Sequence, residues 1–339
     1  MFDLTNPIFN DEDKAREHLE ALRWPDGPVC VHCGTIGNAI ARIESTGQKT
    51  KPVAEGKKHR PARKGLYYCN NCHQQFSVTV GTVLEKSHIQ INKWIAAFYM
   101  MCASKKGVSA HQLHRQLKIT YKSAWFMAHR VREAMRSGGL APPMGGNGGT
   151  VEIDETVVGR ASTHPKGRAK ARSSSHKNVV LSLVERGGSV RSYHVTGSTV
   201  SEIMPIIDAN ISHEASVMTD AASWYKYMND GGRFISHDRV DHSKDEYVRQ
   251  EGDRLAHTNT VENYYSVFKR GMRGVYQHCS EKHLHRYLAE FDYRYSNRSK
   301  LGIEDTERTN KALRQIEGRR LTYRRIGRPI DEPEGPPFP

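Results

Sequence analysis

Apolar and polar positions alternate along the chain in blocks that predict its elements. Asp11–Leu22 has the spacing of a short helix capped by Asn10 or Asp11. Asn92–Cys102, NKWIAAFYMMC, is a nearly unbroken apolar run of helical length. From Gly107 to Arg132 the pattern reads helix, a Lys-Ile-Thr turn, then a basic helix. Leu113, Leu117, Ala124, Met127 and Val131 form its internal face, and Ser109 and Thr120 stand where caps belong. That is the shape of a helix-turn-helix, and Lys122, His129, Arg130 and Arg132 are left over for phosphate or base contacts. A plain helical hairpin with a solvated basic face fits the same letters.

Ser137–Gly149 holds Gly-Gly, Pro-Pro and Gly-Gly-Asn-Gly-Gly, which cannot sustain a helix and mark a domain boundary. Beyond it the period becomes that of strands. Thr150–Asp154, Asn178–Glu185 and Ser189–Val195 are predicted strands, the last two a hairpin through Arg186-Gly187-Gly188. Thr199–Ile211 follows as a helix, Ala215–Thr219 as a strand and Ala222–Met228 as a short helix. This order suits an RNase H-like core, a mixed sheet flanked by helices. Thr163–Lys177, with five Lys/Arg in fifteen residues, reads as a mobile basic loop, and the tail from Ile326 as disordered.

Composition narrows the class of function. The 339 residues, 37% of them hydrophobic, are enough for two or three domains. No run approaches the roughly 20 apolar residues of a membrane span, and the N-terminus lacks a basic start followed by an apolar signal run, so a cytoplasmic protein is expected. Against 37 Asp+Glu stand 51 Lys+Arg, a formal charge of +14, which favours a polyanion such as nucleic acid.

Four of the six cysteines form two Cys-x-x-Cys pairs, Cys30 with Cys33 and Cys69 with Cys72. That spacing is metal spacing: each pair folds as a knuckle, and four thiolates close a tetrahedral, structural Zn²⁺ site. The 35 residues between the pairs exceed the usual ribbon spacing, and Thr35–Lys64 is polar enough to be an inserted surface loop. His32 and His73 lie within reach as substitute ligands, while Cys102 and Cys279 read as ordinary thiols.

The carboxylates suggest chemistry. Val151-Glu-Ile-Asp ends one predicted strand at Asp154, and Val217-Met-Thr-Asp ends another at Asp220. Acids at the ends of adjacent strands can converge, as two-metal phosphodiester chemistry requires, and hard oxygen ligands suit Mg²⁺. A third acid is expected from Asn259–Arg273. At about 100° per residue, Val261, Tyr265, Phe268 and Met272 form an apolar stripe, with Glu262, Ser266, Lys269 and Arg273 on the neighbouring one. A metal-binding carboxylate and a phosphate-binding cation fit that second face. Singly, such acids are common as turn formers or solvated charges, and Glu152, Glu155 and Asp208 look no more than that.

Four longer runs are more specific: Phe76-Ser-Val-Thr-Val-Gly-Thr-Val-Leu, Val151-Glu-Ile-Asp-Glu-Thr-Val-Val-Gly, His257-Thr-Asn-Thr-Val-Glu-Asn-Tyr-Tyr-Ser-Val-Phe-Lys-Arg-Gly, and Lys282 through Arg298. Over about Glu12–Arg298 the chain closely resembles the zinc-ribbon insertion-sequence transposases of the IS-fifteen-ninety-five family. The resemblance implies an α+β multidomain protein: N-terminal zinc ribbon, helix-turn-helix-like region and RNase H-like catalytic core. It implies Asp154 and Asp220 as metal aspartates and Lys269 as the basic residue after the third ligand. Family members place Asn, Glu or His at that ligand, and Asn259, Glu262 and Asn263 all stand near it. Glu262 is preferred for its charge and its seven-residue spacing to Lys269. The expected divisions are an N-terminal helix to 23, a ribbon over 24–84, a helical DNA-binding region over 85–136, a linker to 149, a catalytic domain over 150–300 and an extension to 339.

The activity so implied is metal-dependent cleavage at the element's ends and transfer into target DNA. Expected cofactors are structural Zn²⁺ and two catalytic Mg²⁺ or Mn²⁺. The expected partner is double-stranded DNA, both terminal inverted repeats and target, gripped by Lys122, Arg130, Arg132, Lys269, Arg270 and Arg273. The protein is expected to act as a homodimer or larger oligomer at the bacterial nucleoid, away from membranes. The rival readings are a zinc-ribbon regulator with an inactive core and an RNase H-like nuclease that cuts without joining.

Overall fold

A computed structural model describes residues 5–43, 64–138, 141–159, 177–197, 199–226, 228–229, 231–241, 248–252 and 254–322. Most of the basic loop (160–176), most of the ribbon insertion (44–63) and the tail from Ile326 lie outside these residues.

Helix α1 (Glu12–Arg23) begins at Asp11, whose carboxylate accepts the N–H groups of Asp13 and Lys14. It leads into an antiparallel sheet of β1 (Ile40–Ile43), β2 (Leu66–Cys69) and β3 (Gln75–Ser77), in that order. The start of the insertion is thus a strand, with Ile40 opposite Cys69, because Ile40 and Ile43 are half-buried on the sheet. Three helices follow: α2 (Ile91–Ala103), α3 (Ala110–Leu117) and α4 (Tyr121–Met135). Ser109 caps α3 through the N–H of Gln112, and Thr120 caps α4 through that of Ser123. Leu113, Leu117, Ala124, Met127 and Val131 are all buried, closing the helix-turn-helix. Ribbon and helices share one core, in which Tyr67 and Phe76 of the sheet join Trp94, Phe98 and Met101 of α2.

The second unit is built on a five-stranded sheet. Its strands are β4 (Thr150–Val158), β5 (Asn178–Glu185), β6 (Val190–Val195), β7 (Ser216–Asp220) and β8 (Ser236–Val240), ordered β6-β5-β4-β7-β8. The first three pair antiparallel, while β4, β7 and β8 run parallel. This is the RNase H-like arrangement. Alternation along β4 divides its side chains between two layers. Val151 and Ile153 face the core under α5 (Val200–Asn210), while Glu152 and Asp154 point to the layer of α6 (Asn259–Gly271) and α7 (Leu284–Ser296). A small hairpin, β9 (Arg249–Glu251) and β10 (Arg254–Ala256), precedes α6.

One expectation is corrected, and two segments gain detail. The expected Ala222–Met228 helix is only a 3-10 turn over Ser223–Tyr225, where Asp220 Oδ1 accepts the N–H of Ala222 and turns the chain. The end of the linker is docked: Met144 is buried, its N–H bonded to Asn210 O at 2.7 Å. Gly145 lies there at φ +78°, where an added Cβ would meet Ala215 Cβ at 2.5 Å. The segment after 300 does not stand apart either. Helix α8 (Asp305–Arg314) returns to the first unit, burying Ala312 and Leu313 in the core of α2 and α4.

Candidate active site and metal centre

The four cysteines converge. Among the described residues they form the only group of three or more metal-ligating side chains whose donor atoms all lie within 4.8 Å of one another. Cys30 Sγ is 3.6 Å from Cys72 Sγ, and Cys33 Sγ is 3.7 Å from Cys69 Sγ. Tetrahedral zinc with bonds of about 2.3 Å sets its sulfurs roughly 3.8 Å apart, so the set fits the ion. The two knuckles repeat each other: Gly34 N–H bonds Cys30 O and His73 N–H bonds Cys69 O, each from a residue with positive φ. His73 is no ligand in this cluster; its ring nitrogen meets the Tyr68 hydroxyl at 3.1 Å.

Asp154 and Asp220 are neighbours by register. In the parallel pair of β4 and β7, Ile153 stands opposite Thr219, and the next residues are the two aspartates. Helix α6 lies across this face. Tyr265 donates its hydroxyl to Asp154 O at 2.5 Å, and Val261, Tyr265, Phe268 and Met272 are buried while Glu262 is exposed beside them. Burial raises the pKa of Asp154 to about 8, and the charges of Asp220, Glu155 and Glu262 add to the rise. Asp154 therefore lies within electrostatic reach of both Asp220 and Glu262. Their oxygens do not gather as tightly as the four thiolates. A two-metal site does not require that, since ions about 3.5–4 Å apart are held from opposite sides. Hard oxygen donors and crowded negative charge fit divalent Mg²⁺ or Mn²⁺.

Lys269 stands two turns along α6, 5.8 Å from the Tyr265 ring. Burial lowers its pKa, and the negative charge of Asp154 works against that. Beside it a cavity of about 300 Å³ is lined by Lys177, Lys269, Arg273 and Asn178. Arg270 is exposed on the same helix. Asn259 opens α6 with its side chain exposed and its N–H on His257 Nδ1 at 3.3 Å.

Helix α4 departs from expectation. Arg132 is buried, donating to Glu290 Oε2 at 2.7 Å and lying over the ring of Tyr287. Arg130 is buried too, bonded to Glu85 O and Leu321 O, and His129 packs between Trp125 and His283 with burial driving its pKa down to about 2. The reason is that α4 is covered on both sides, by the first core and by α7, so its C-terminal half has no free basic face. Lys122 and Tyr121 remain exposed at its N-terminal end, near exposed Arg115 and Lys118.

Two acids that look ordinary in sequence have specific partners. Glu155 points to the α5 side and accepts the Tyr225 hydroxyl at 2.6 Å. Glu152 is fully buried against the start of α6. Its signal was its place between Val151 and Ile153 in a predicted strand, where a carboxylate is buried only with partners.

Comparison with known proteins agrees with both units. The ISXO2-like transposase domain family matches residues 147–296, and the transposase zinc-ribbon domain family matches residues 10–75. Over 303 residues, 84% of this chain and 91% of the relative, the sequence is 28% identical to an uncharacterized protein in transposable element ISH50 of Halobacterium salinarum. No helix among the described residues is long and apolar enough to cross a membrane. Ribbon and sheet are each matched by a transposase domain family, so both units of the chain resemble those of the IS1595 insertion-sequence transposases.

Proposed function

We propose that the protein cuts DNA at the ends of its own element and joins the freed 3′-hydroxyl to target DNA. The observation that carries this is the placing of Asp154, midway along β4, beside Asp220, at the end of the parallel strand β7, one residue past the Ile153–Thr219 pair, with Glu262 of α6 near enough for its charge to act on Asp154. Asp154, Asp220 and Glu262 would hold two Mg²⁺ or Mn²⁺. When bound, such ions activate the attacking oxygen and stabilise the leaving one in an in-line displacement at phosphorus. Lys269, with Lys177 and Arg273 around the adjoining cavity, meets a backbone phosphate and holds the strand in line. Arg270 adds to the positive field over the same groove. Cleavage, in which water attacks and the 3′-hydroxyl leaves, and joining, in which that 3′-hydroxyl attacks a target phosphodiester, are the same in-line displacement, so one site serves both.

Sequence-specific contacts fall to the first unit, residues up to about Arg136. The exposed N-terminal end of α4, with Tyr121 and Lys122, is the part a helix-turn-helix inserts in the major groove. A pair of element ends calls for at least two such units, hence a homodimer or larger assembly acting on the nucleoid. The test is a labelled duplex carrying the element's end, incubated with target DNA and Mg²⁺. Cleavage followed by joining supports the proposal, cleavage without joining favours a nuclease, and specific binding without cleavage favours a regulator.

A further inference from the structure

Glu152 and Asp154 leave the same face of β4, two residues apart; the Glu152 carboxylate meets the first turn of α6, and the Asp154 backbone carbonyl accepts from Tyr265 further along the same helix. The Glu152 carboxylate has no solvent exposure. Its Oε2 accepts the N–H groups of Thr260 at 2.7 Å and Val261 at 2.9 Å. Its Oε1 accepts the Thr260 hydroxyl and Arg186 Nε, both at 2.7 Å. His257 Nδ1 lies 3.2 Å from the same oxygen. Arg186 spends its remaining donors on Leu255 O at 2.7 Å and His257 O at 2.9 Å. One carboxylate thus gathers the end of β10, the entry to α6 and the first turn of α6.

The choice of cap carries meaning. Helix starts are ordinarily satisfied by their own preceding Ser, Thr, Asp or Asn. Thr258 holds that position here and makes no side-chain cap bond, its hydroxyl donating instead to Glu262 Oε1 at 3.2 Å. A local cap would satisfy the helix without tying it to anything, whereas Glu152 satisfies it from the strand that carries Asp154. Glu262 directly follows the two capped amides, and the acids it joins repel it. An anchor at the positive end of the helix dipole opposes that repulsion.

We propose that Glu152 is a positioning residue, which fixes Glu262 against Asp154 and Asp220 and thereby sets the affinity of the carboxylate site for divalent ions. This rests on the reading of those three acids as the metal site. Groups that orient metal ligands are typically worth about 10–100-fold in affinity.

The test uses the full chain with its zinc, comparing the unmodified protein, Glu152→Gln, Thr260→Val and, as a control, Arg308→Met. Arg308 bonds Cys102 O and Asn297 O, so its loss weakens the fold without touching β4 or α6. Zinc content and melting report folding, amide exchange reports the first turn of α6, and calorimetric titration with Mn²⁺ reports the site. Glu152→Gln should stay folded, exchange faster at Thr260–Glu262 and bind Mn²⁺ about tenfold more weakly, with Arg308→Met unchanged in Mn²⁺ affinity. If Glu152→Gln does not fold, Thr260→Val, which removes one donor only, should show a smaller loss in the same direction. Unaltered Mn²⁺ affinity in the folded variants, despite faster exchange, would reduce Glu152 to a helix cap and overturn the proposal. No Mn²⁺ uptake by the unmodified protein would overturn the metal-site reading itself, while exchange in α6 would still report the clamp.

Discussion

Arg132 on α4 and Glu290 on α7 are buried against each other, Nε to Oε2 at 2.7 Å, and their pair joins the helix-turn-helix to the helical layer over the five-stranded sheet. Arg294 bonds the other oxygen of Glu290, and the Tyr276 hydroxyl donates to it at 2.5 Å. Burial pushes the Glu290 pKa up, but Arg294 and Arg132 overcome it and hold the carboxyl below its ordinary range. Removing one partner of a buried pair strands the others. Glu290→Gln should cost about 3–5 kcal/mol, read as a fall in denaturation midpoint. A change under about 1 kcal/mol would show the network to be incidental.

The same pair separates two kinds of arginine and lysine. Lys122→Ala should weaken binding to the element's end and reduce the salt slope of binding by about one, because Lys122 stands at the exposed end of α4. Arg132→Ala should lower the melting temperature, with binding per folded molecule largely kept. The reverse pattern, a stable Arg132→Ala that no longer binds DNA, would return Arg132 to the DNA face.

Zinc should be present at one ion per chain. Cys69→Ser should lose it and unfold the first unit, since Cys69 sits in the core shared by ribbon and helices. The structure makes this loss broader than a ribbon alone, because α8 packs into that core as well. Reduced protein that is folded and free of zinc would contradict this.

Asp292 offers a pH test of its own, held between α7 and β6 by Ser192 and Tyr264. Burial raises its pKa from 3.8 to about 7, partly offset by hydrogen bonds from Tyr264 and Ser192. The folded state therefore holds a proton that the unfolded chain releases, so its contribution to stability falls as pH rises from about 4 to 7. Each tenfold difference in proton affinity between the two states is worth about 1.4 kcal/mol. Asp292→Asn should flatten this slope in a series of melts run from mildly acidic to mildly alkaline buffer; an unchanged slope would place the titration elsewhere.

Much of the fold and site was legible in the sequence, for physical reasons. The Cys-x-x-Cys pairs are local, and the apolar stripe of α6 obeys helical period, so both could be read from spacing. Asp154 and Asp220 were visible because each closes an apolar run of strand period, although only Asp220 ends its strand and β4 runs on past Asp154 to Val158. What sequence could not supply was the burial of polar side chains. Arg130 and Arg132 carry the charge of a DNA-binding face, yet a second layer covers them, and only tertiary packing decides that. Strand β8, Ser-His-Asp-Arg-Val, lies at the sheet edge with too little apolar alternation to register. Helix α8 is polar except where Ala312 and Leu313 meet the first core.

The most direct measurement sets Glu262→Gln beside Asn259→Ala on a labelled end duplex with target DNA and Mg²⁺, with Asp154→Asn and Asp220→Asn as references. All should bind the duplex. The expected result is that Glu262→Gln joins the two aspartate variants in losing cleavage and joining by roughly 100-fold or more, an order set by the loss of a metal-positioning charge. Asn259→Ala, exposed at the helix start, should keep most of its activity. An active Glu262→Gln with an inactive Asn259→Ala would move the third ligand to Asn259, and an active Asp154→Asn would contradict the carboxylate site altogether.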